Sequence, residues 1–182
     1  MKNFIELVNK RYSVRDFLDK PVEREKIKLC LESARLAPSA CNSQPWKFIV
    51  IDEVNLKNKL CDKIFSGPYK INIFAKKAPV IVVVISEKST FLAKVGGLLR
   101  DTRYYLIDIG IAVEHFILQA TELNLGTCWI GWFNEKQAKK ILNIPNNKKI
   151  DIVIPVGYPA QPMRKKIRKS LEEIFTFNEY ED

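Results

Sequence analysis

Ala37-Pro38-Ser39-Ala40-Cys41-Asn42-Ser43-Gln44-Pro45-Trp46-Lys47-Phe48 is the stretch on which the reading of this 182-residue chain turns. It reads as the end of a helix, a small-residue polar loop and the entry to a strand. Upstream, Ile27, Cys30, Leu31 and Ala34 recur at helical spacing after a start at Pro21-Val22-Glu23. Pro38 stops that helix, because proline disfavours helical geometry in the residue before it. Downstream, Lys47 to Asp52 (KFIVID) is apolar and β-branched, as in a buried strand. The loop between them carries no charge before Lys47. Its prolines, serines and asparagine suit an ordinary turn. Uncharged hydrogen-bonding groups on a stiff loop also suit the polar edge of a flat heteroaromatic ring.

Working outward, Phe4, Leu7 and Val8 fall on one face of a helix over residues 3–10 that is expected to pack on the core. An extended passage runs from Ser13 to Pro21. A helix is expected from Val54 to Ile64, with Leu56, Leu60 and Ile64 at i, i+4 and i+8. Gly67-Pro68 marks a turn, and Ile71 to Lys77 is ambiguous, with a short helix as one reading. Pro79 to Ile85 (PVIVVVI) has no polar alternation and reads as a central strand buried on both faces. Ser86 to Arg100 is polar and glycine-containing, a variable segment and a candidate substrate lid.

The longest helix is expected from Thr102 to Leu123, with Leu106, Ile109, Val113, Phe116, Ile117 and Ala120 on a broad apolar face. Gly110 and Ala112 there allow close approach of another element, expected to be a partner helix across a dimer axis. Asn124-Leu125-Gly126 stops it. Thr127 to Trp132 is strand-like, and Asn134 to Asn143 opens with Asn134 and Gln137 at capping-box spacing. Ile150 to Tyr158 is a further strand. One mixed α/β layer structure follows, a single domain over 1–182.

Apolar residues at 47% suffice for a sizeable core, and no apolar run reaches the length of a membrane span. The start, Met1-Lys2-Asn3-Phe4-Ile5-Glu6, lacks the apolar centre of a signal peptide, so a cytoplasmic protein is expected. Four cysteines (Cys30, Cys41, Cys61, Cys128) show no metal spacing and are expected to be reduced and non-catalytic. The single histidine, His115, lies in the long helix and suits a helix surface or dimer interface better than a general base. The net charge is +9. It is partly spread along helices and partly gathered in Arg164-Lys165-Lys166-Ile167-Arg168-Lys169, without a nucleic-acid recognition pattern. An anionic ligand is favoured over nucleic acid.

Arg11-Tyr12-Ser13-Val14-Arg15-Asp16-Phe17 adds a second dense motif. Arg11 and Ser13 alternate in an extended passage, so both can face one side, and a guanidinium fork with a hydroxyl suits a phosphate. Together with the Pro38 loop, this motif resembles the FMN-dependent nitroreductase family. The resemblance runs on through Asp108-Ile109-Gly110-Ile111-Ala112, Gly126-Thr127-Cys128-Trp129-Ile130-Gly131 and Arg168-Lys169-Ser170-Leu171-Glu172-Glu173, and so covers nearly the whole chain.

The resemblance implies an α+β fold: a mixed, mainly antiparallel sheet flanked by helices in three layers, assembled as an intertwined homodimer. It implies tightly bound, non-covalent FMN at the subunit interface and NAD(P)H as co-substrate. Arg11, Ser13, Lys166 and Arg168 would meet the phosphate, with Tyr12 in the same cofactor-binding set. Arg15 would face the pyrimidine edge, where a cation favours the anionic reduced ring. Pro38, Ser39, Ala40, Asn42 and Gln44 would line the ring pocket, with the 38–42 loop given by the other subunit. Ala40 stands where many relatives carry serine.

Trp129, Ile130 and Gly131 would lie beside the ring, with the backbone of Ile130 and Gly131 near N5. Glycine there permits close approach, and Ile130 stands where many relatives carry an acidic residue. The implied activity is ping-pong reduction of small electron-poor acceptors such as nitroaromatics and quinones. It needs no catalytic side chain and no separate dinucleotide loop. The family scaffold also implies alternatives: dehalogenation, flavin fragmentation, azoline oxidation, or a flavin carrier or regulator without turnover. Because the chain is shorter than many relatives, a reduced lid is expected.

Overall fold

The computed structural model describes residues 3–87, 97, 99–163 and 165–180. In chain order the elements are helix α1 (Phe4–Lys10), helix α2 (Arg24–Arg35) and strand β1 (Trp46–Ile51). Helix α3 (Val54–Ile64), a 3₁₀ stretch (Gly67–Lys77), strand β2 (Val80–Ser86) and helix α4 (Tyr104–Glu122) come next. Strand β3 (Gly126–Thr127), helix α5 (Glu135–Ile141) and strand β4 (Lys149–Gly157) close the order. The strands pair antiparallel in the order β1-β2-β4-β3, which puts β2 at the centre as its unbroken apolar run requires.

Side chains alternate across a strand, and this alternation divides the interior in two. Val80, Val82 and Val84 join Ile109, Val113, Phe116 and Ile117 of α4 and Ile27, Cys30 and Ala34 of α2. Ile81, Val83 and Ile85 join Leu60 and Ile64 of α3, Ala75 of the 3₁₀ stretch and Ala138 of α5. Helices therefore cover both faces of the sheet, giving three layers. In β4, Ile150 and Ile152 have the same parity yet serve opposite cores. The register slips between Val84 and Ile85, which oppose Ile152 and Ile150, so Asp151 is the extra residue of a bulge.

Several details differ from the sequence reading. Helix α2 begins one residue after Glu23, which is its N-cap, and ends at Arg35, ahead of Pro38. The ambiguous 71–77 segment is part of a longer 3₁₀ stretch that begins at the Gly67-Pro68 turn. Buried Lys57 donates its ammonium to Lys76 O, a carbonyl at the end of that stretch, at 2.6 Å. At α5 only half of a capping box forms. Asn134 Oδ1 accepts from Gln137 N at 3.1 Å, but the Asn134 amide donates to Ile64 O instead.

The largest correction concerns α1, none of whose residues is buried; Phe4 and Val8 face outward. Leu106 and Ile107 of α4 are likewise exposed. A Cβ on Gly110 would meet nothing within 4 Å. Among the described residues, therefore, Phe4 and Val8 of α1 and Leu106 and Ile107 of α4 lack cover within the protomer. The lid expected over 86–100 lies largely outside the described residues.

The N-terminus of α2 is tied to the end of β4. Tyr158 Oη donates to Glu23 Oε2 at 2.8 Å, and Lys26 Nζ lies 3.3 Å from the same oxygen. The Glu23 backbone amide, then Tyr158 and Lys26, hold its carboxyl down to about 2 from an ordinary 4.5. A carboxyl lowered in the folded state contributes stability above its unfolded value and loses it as pH falls through the folded one. Glu23→Gln should flatten the loss of thermal stability between pH 4.5 and about 2, as measured by melting midpoint against pH. In the other direction, Phe116 is fully buried and stacks on Phe48 at 6.2 Å. Phe116→Ala should cost about 3–5 kcal/mol in chemical denaturation.

Candidate functional site

The passage from Arg11 to Phe17 is extended because it is seated on the sheet edge. Val14 N donates to Thr127 O at 2.8 Å, Ser13 bridges Thr127 in parallel sense, and Leu18 N donates to Tyr158 O. Val14 and Phe17 are buried and cluster with Ala78, while Ser13 and Arg15, the neighbours of Val14, are exposed. Gly126 makes this seating possible: a Cβ there would stand 2.5 Å from Val14 Cγ2. Beyond β4, Ala160 N donates to Asp16 O, and Gln161 Nε2 donates to Asp16 Oδ2 at 3.1 Å. Tyr12 Oη donates to Gln161 O at 2.7 Å. These bonds bring the tail beside the N-terminal passage.

Between them opens a cavity of about 650 Å³ whose lining includes Arg11, Ser13, Arg15, Lys165, Lys166 and Arg168. Lys77 also lines it, but is bound to Asp16 at 2.8 Å. Lys166 Nζ donates to Val8 O, near the end of α1, at 2.6 Å. Burial, then the neighbouring Arg11 and Arg168, push its ammonium down, with Glu114 alone opposing. Glu114 sits 3.9 Å from Arg11 Nε and its own carboxyl is raised by burial. Cations that repel one another around a hydroxyl-bearing cavity form a site prepared for a multiply charged anion.

The Pro38 loop forms a separate cluster, and none of Pro38, Ser39, Ala40, Asn42 and Gln44 lines that cavity. Ser39 Oγ accepts from Gln44 N at 2.9 Å, and Ser43 Oγ donates to Ala40 O at 2.7 Å. Cys41, Asn42 and Gln44 adopt left-handed backbone with φ of 51°, 50° and 43°. Outside glycine such geometry costs on the order of 1–3 kcal/mol per residue and gathers at functional sites. The Gln44 amide donates to Asn42 Oδ1 at 3.0 Å, which fixes the polar edge of the loop. Sequence reading gave Asp108 no role, yet its Oδ1 accepts from Ala40 N at 2.9 Å. Its signal was an acidic residue set between Ile107 and Ile109 in a broadly apolar helix.

Along 129–131 the two amides part company. Ile130 is buried and exchanges both backbone bonds with Val153, at 3.0 and 2.9 Å, so its N–H is already committed. Gly131 N has no partner among the described residues, and a Cβ there would meet nothing within 4 Å. The Trp129 side chain is half exposed; Trp132 packs on Tyr69 at 5.1 Å and donates to Pro68 O. His115 Nδ1 lies 3.2 Å from Ser33 O, a contact between α4 and α2. Burial pushes the Cys30 and Cys61 thiols up to about 12, which suits unreactive core cysteines. Among the described residues no acidic, cysteine or histidine group could hold a metal, and no helix is long and apolar enough to cross a membrane.

Residues 8–158 match the model of the nitroreductase family. A nitroreductase family protein from Clostridium difficile 630 superimposes with a TM-score of 0.79 at 30% identity, over 98% of this chain and 99% of that one. An FMN-dependent nitroreductase from Clostridium difficile R20291 gives 0.76 at 28% identity, over 97% and 99%. An iodotyrosine deiodinase from Thermotoga neapolitana is 27% identical, over 99% of this chain and all of the relative.

The anion reading is open to test without any larger ligand. Inorganic phosphate should raise the melting midpoint, as a ligand bound only by the folded state must. In Arg11→Ala and Lys166→Ala the shift should largely vanish, while replacing exposed Lys59 should leave it intact.

Proposed function

Because the chain belongs to the nitroreductase family, we propose that it is an FMN-dependent oxidoreductase, a homodimer drawing electrons from NAD(P)H to reduce small electron-poor aromatics. The observation that carries this reading is the cation cluster of Arg11, Lys166 and Arg168 beside Ser13, whose mutual repulsion an FMN phosphate would relieve. Bound FMN supplies the two-electron chemistry between a nicotinamide donor and the acceptor. The chain's own residues bind and orient. Arg11, Lys166 and Arg168 hold the phosphate, with Ser13 as a hydroxyl donor and Tyr12 fixing Gln161 at the rim. Arg15, outward on the same passage, offers a positive charge to a reduced ring. The Pro38 loop presents neutral donors and acceptors to a ring edge, and Gly131 an open amide.

That no residue of the Pro38 loop lines the cation cavity of its own protomer supports a dimer in which one subunit's loop completes the other's site. The uncovered apolar side chains Phe4, Val8, Leu106 and Ile107 support the same assembly, as do Ile167 and Phe177 in a tail without helix or strand. The kinship to an iodotyrosine deiodinase along the full chain favours a second reading, reductive dehalogenation at the same site.

The test is a visible spectrum of protein loaded with FMN, recorded anaerobically. Bleaching by NADH or NADPH and recovery on adding a nitroaromatic or quinone is the expected outcome. Recovery only with an iodinated phenol, with release of iodide, would establish the second reading. Bound flavin that no nicotinamide reduces would leave a carrier, and no flavin binding would overturn the assignment.

A further inference from the structure

Asp108 is an anomaly in its helix. It lies in α4 next to the buried Ile109, is itself 4% exposed, and its Oδ2 is buried with no partner among the described residues. A carboxylate so placed is costly unless bonding compensates it. Among the described residues, its side chain accepts one hydrogen bond, from Ala40 N at 2.9 Å. That bond is also singular from the side of the loop. The other hydrogen bonds of residues 39–44 stay within the stretch 39–46: Asn42 N to Ser39 O, Ser43 N and Oγ to Ala40 O, Gln44 N to Ser39 Oγ, Gln44 Nε2 to Asn42, and Trp46 N to Gln44 O. Among the described residues, only Asp108 reaches this segment from another element. The segment it reaches contains three left-handed non-glycine residues, a conformation that local bonds alone hold poorly.

We propose that Asp108 is the positioning residue of the flavin-ring loop: its carboxylate pins Ala40 to α4 and so fixes the geometry with which Ser39, Asn42 and Gln44 meet the ring. This rests on the FMN reading above and assigns Asp108 to the ring end of the ligand rather than the phosphate end. Asp108 need not touch the flavin to do this. It acts through the loop backbone.

The two ends of the ligand can be separated with riboflavin, which has the ring and ribityl chain but no phosphate. Affinities for FMN and riboflavin are measured by flavin fluorescence on the intact protein. Asp108→Ala should weaken both by the same factor, about tenfold for a lost hydrogen bond, and leave the thermal shift by inorganic phosphate unchanged. Arg11→Ala should weaken FMN and spare riboflavin. Asp108→Asn, whose amide oxygen can still accept from Ala40 N, should stay within about threefold of wild type. If the alanine variant does not fold, Asp108→Leu fills similar space without an acceptor and should give the same pattern.

Wild-type riboflavin affinity in both acceptor-free variants would overturn the inference. So would equal loss of riboflavin and phosphate binding, because that is the mark of general loosening. Wild-type protein that binds neither flavin overturns the FMN reading itself, a result distinct from either.

Discussion

The seating of residues 12–17 on the edge of β3 is the constraint on which the site depends. The bonds of Val14 N to Thr127 O, Leu18 N to Tyr158 O and Ala160 N to Asp16 O hold the passage in place. With Val14 inward, its neighbours Ser13 and Arg15 face outward, and the alternation breaks before Phe17, which is buried again. Gly126 allows the approach, since any side chain there would collide with Val14. The cation cluster is a consequence of this geometry. Arg11 lies on the passage, and Asp16 and Tyr12 then tie Gln161 so that Lys166 and Arg168 follow across the gap. Strand pairing thus gathers positive charges that Coulomb repulsion alone would keep apart.

The second half of the site is held by different means. Its loop is neutral, carries left-handed residues and is anchored from α4. One half therefore offers charge with little shape, and the other shape with no charge. A ligand with a phosphate at one end and a flat polar-edged ring at the other needs both. The exposed apolar faces of α1 and α4 fit the proposed assembly, in which burial between subunits supplies cover that a chain of this length does not give itself.

Much of the fold was legible in sequence because its signals are local. The β-branched run of β2 could only be a central strand, and the α3 periodicity fixed that helix from Val54 to Ile64. Boundaries slipped where capping decides them: Glu23 caps α2 instead of opening it, and Asn134 spends its amide on Ile64 rather than on a reciprocal box. The helix over 3–10 was read correctly as a helix and wrongly as a core element. Amphipathic spacing reports a face that wants cover, and it does not say which chain provides it.

The sequence by itself determined the element order, the family and the residue types fit for a phosphate and a ring edge, because periodicity and motif spacing are written along the chain. Only the tertiary structure decided that Ile130 gives its amide to Val153 while Gly131 stays open, and that Asp108 reaches the Pro38 loop. It also decided that no residue of that loop lines the cationic cavity of its own protomer. These facts depend on which donor meets which acceptor across long separations in the chain. Such pairings are set by the packing of whole elements, and no local pattern encodes them.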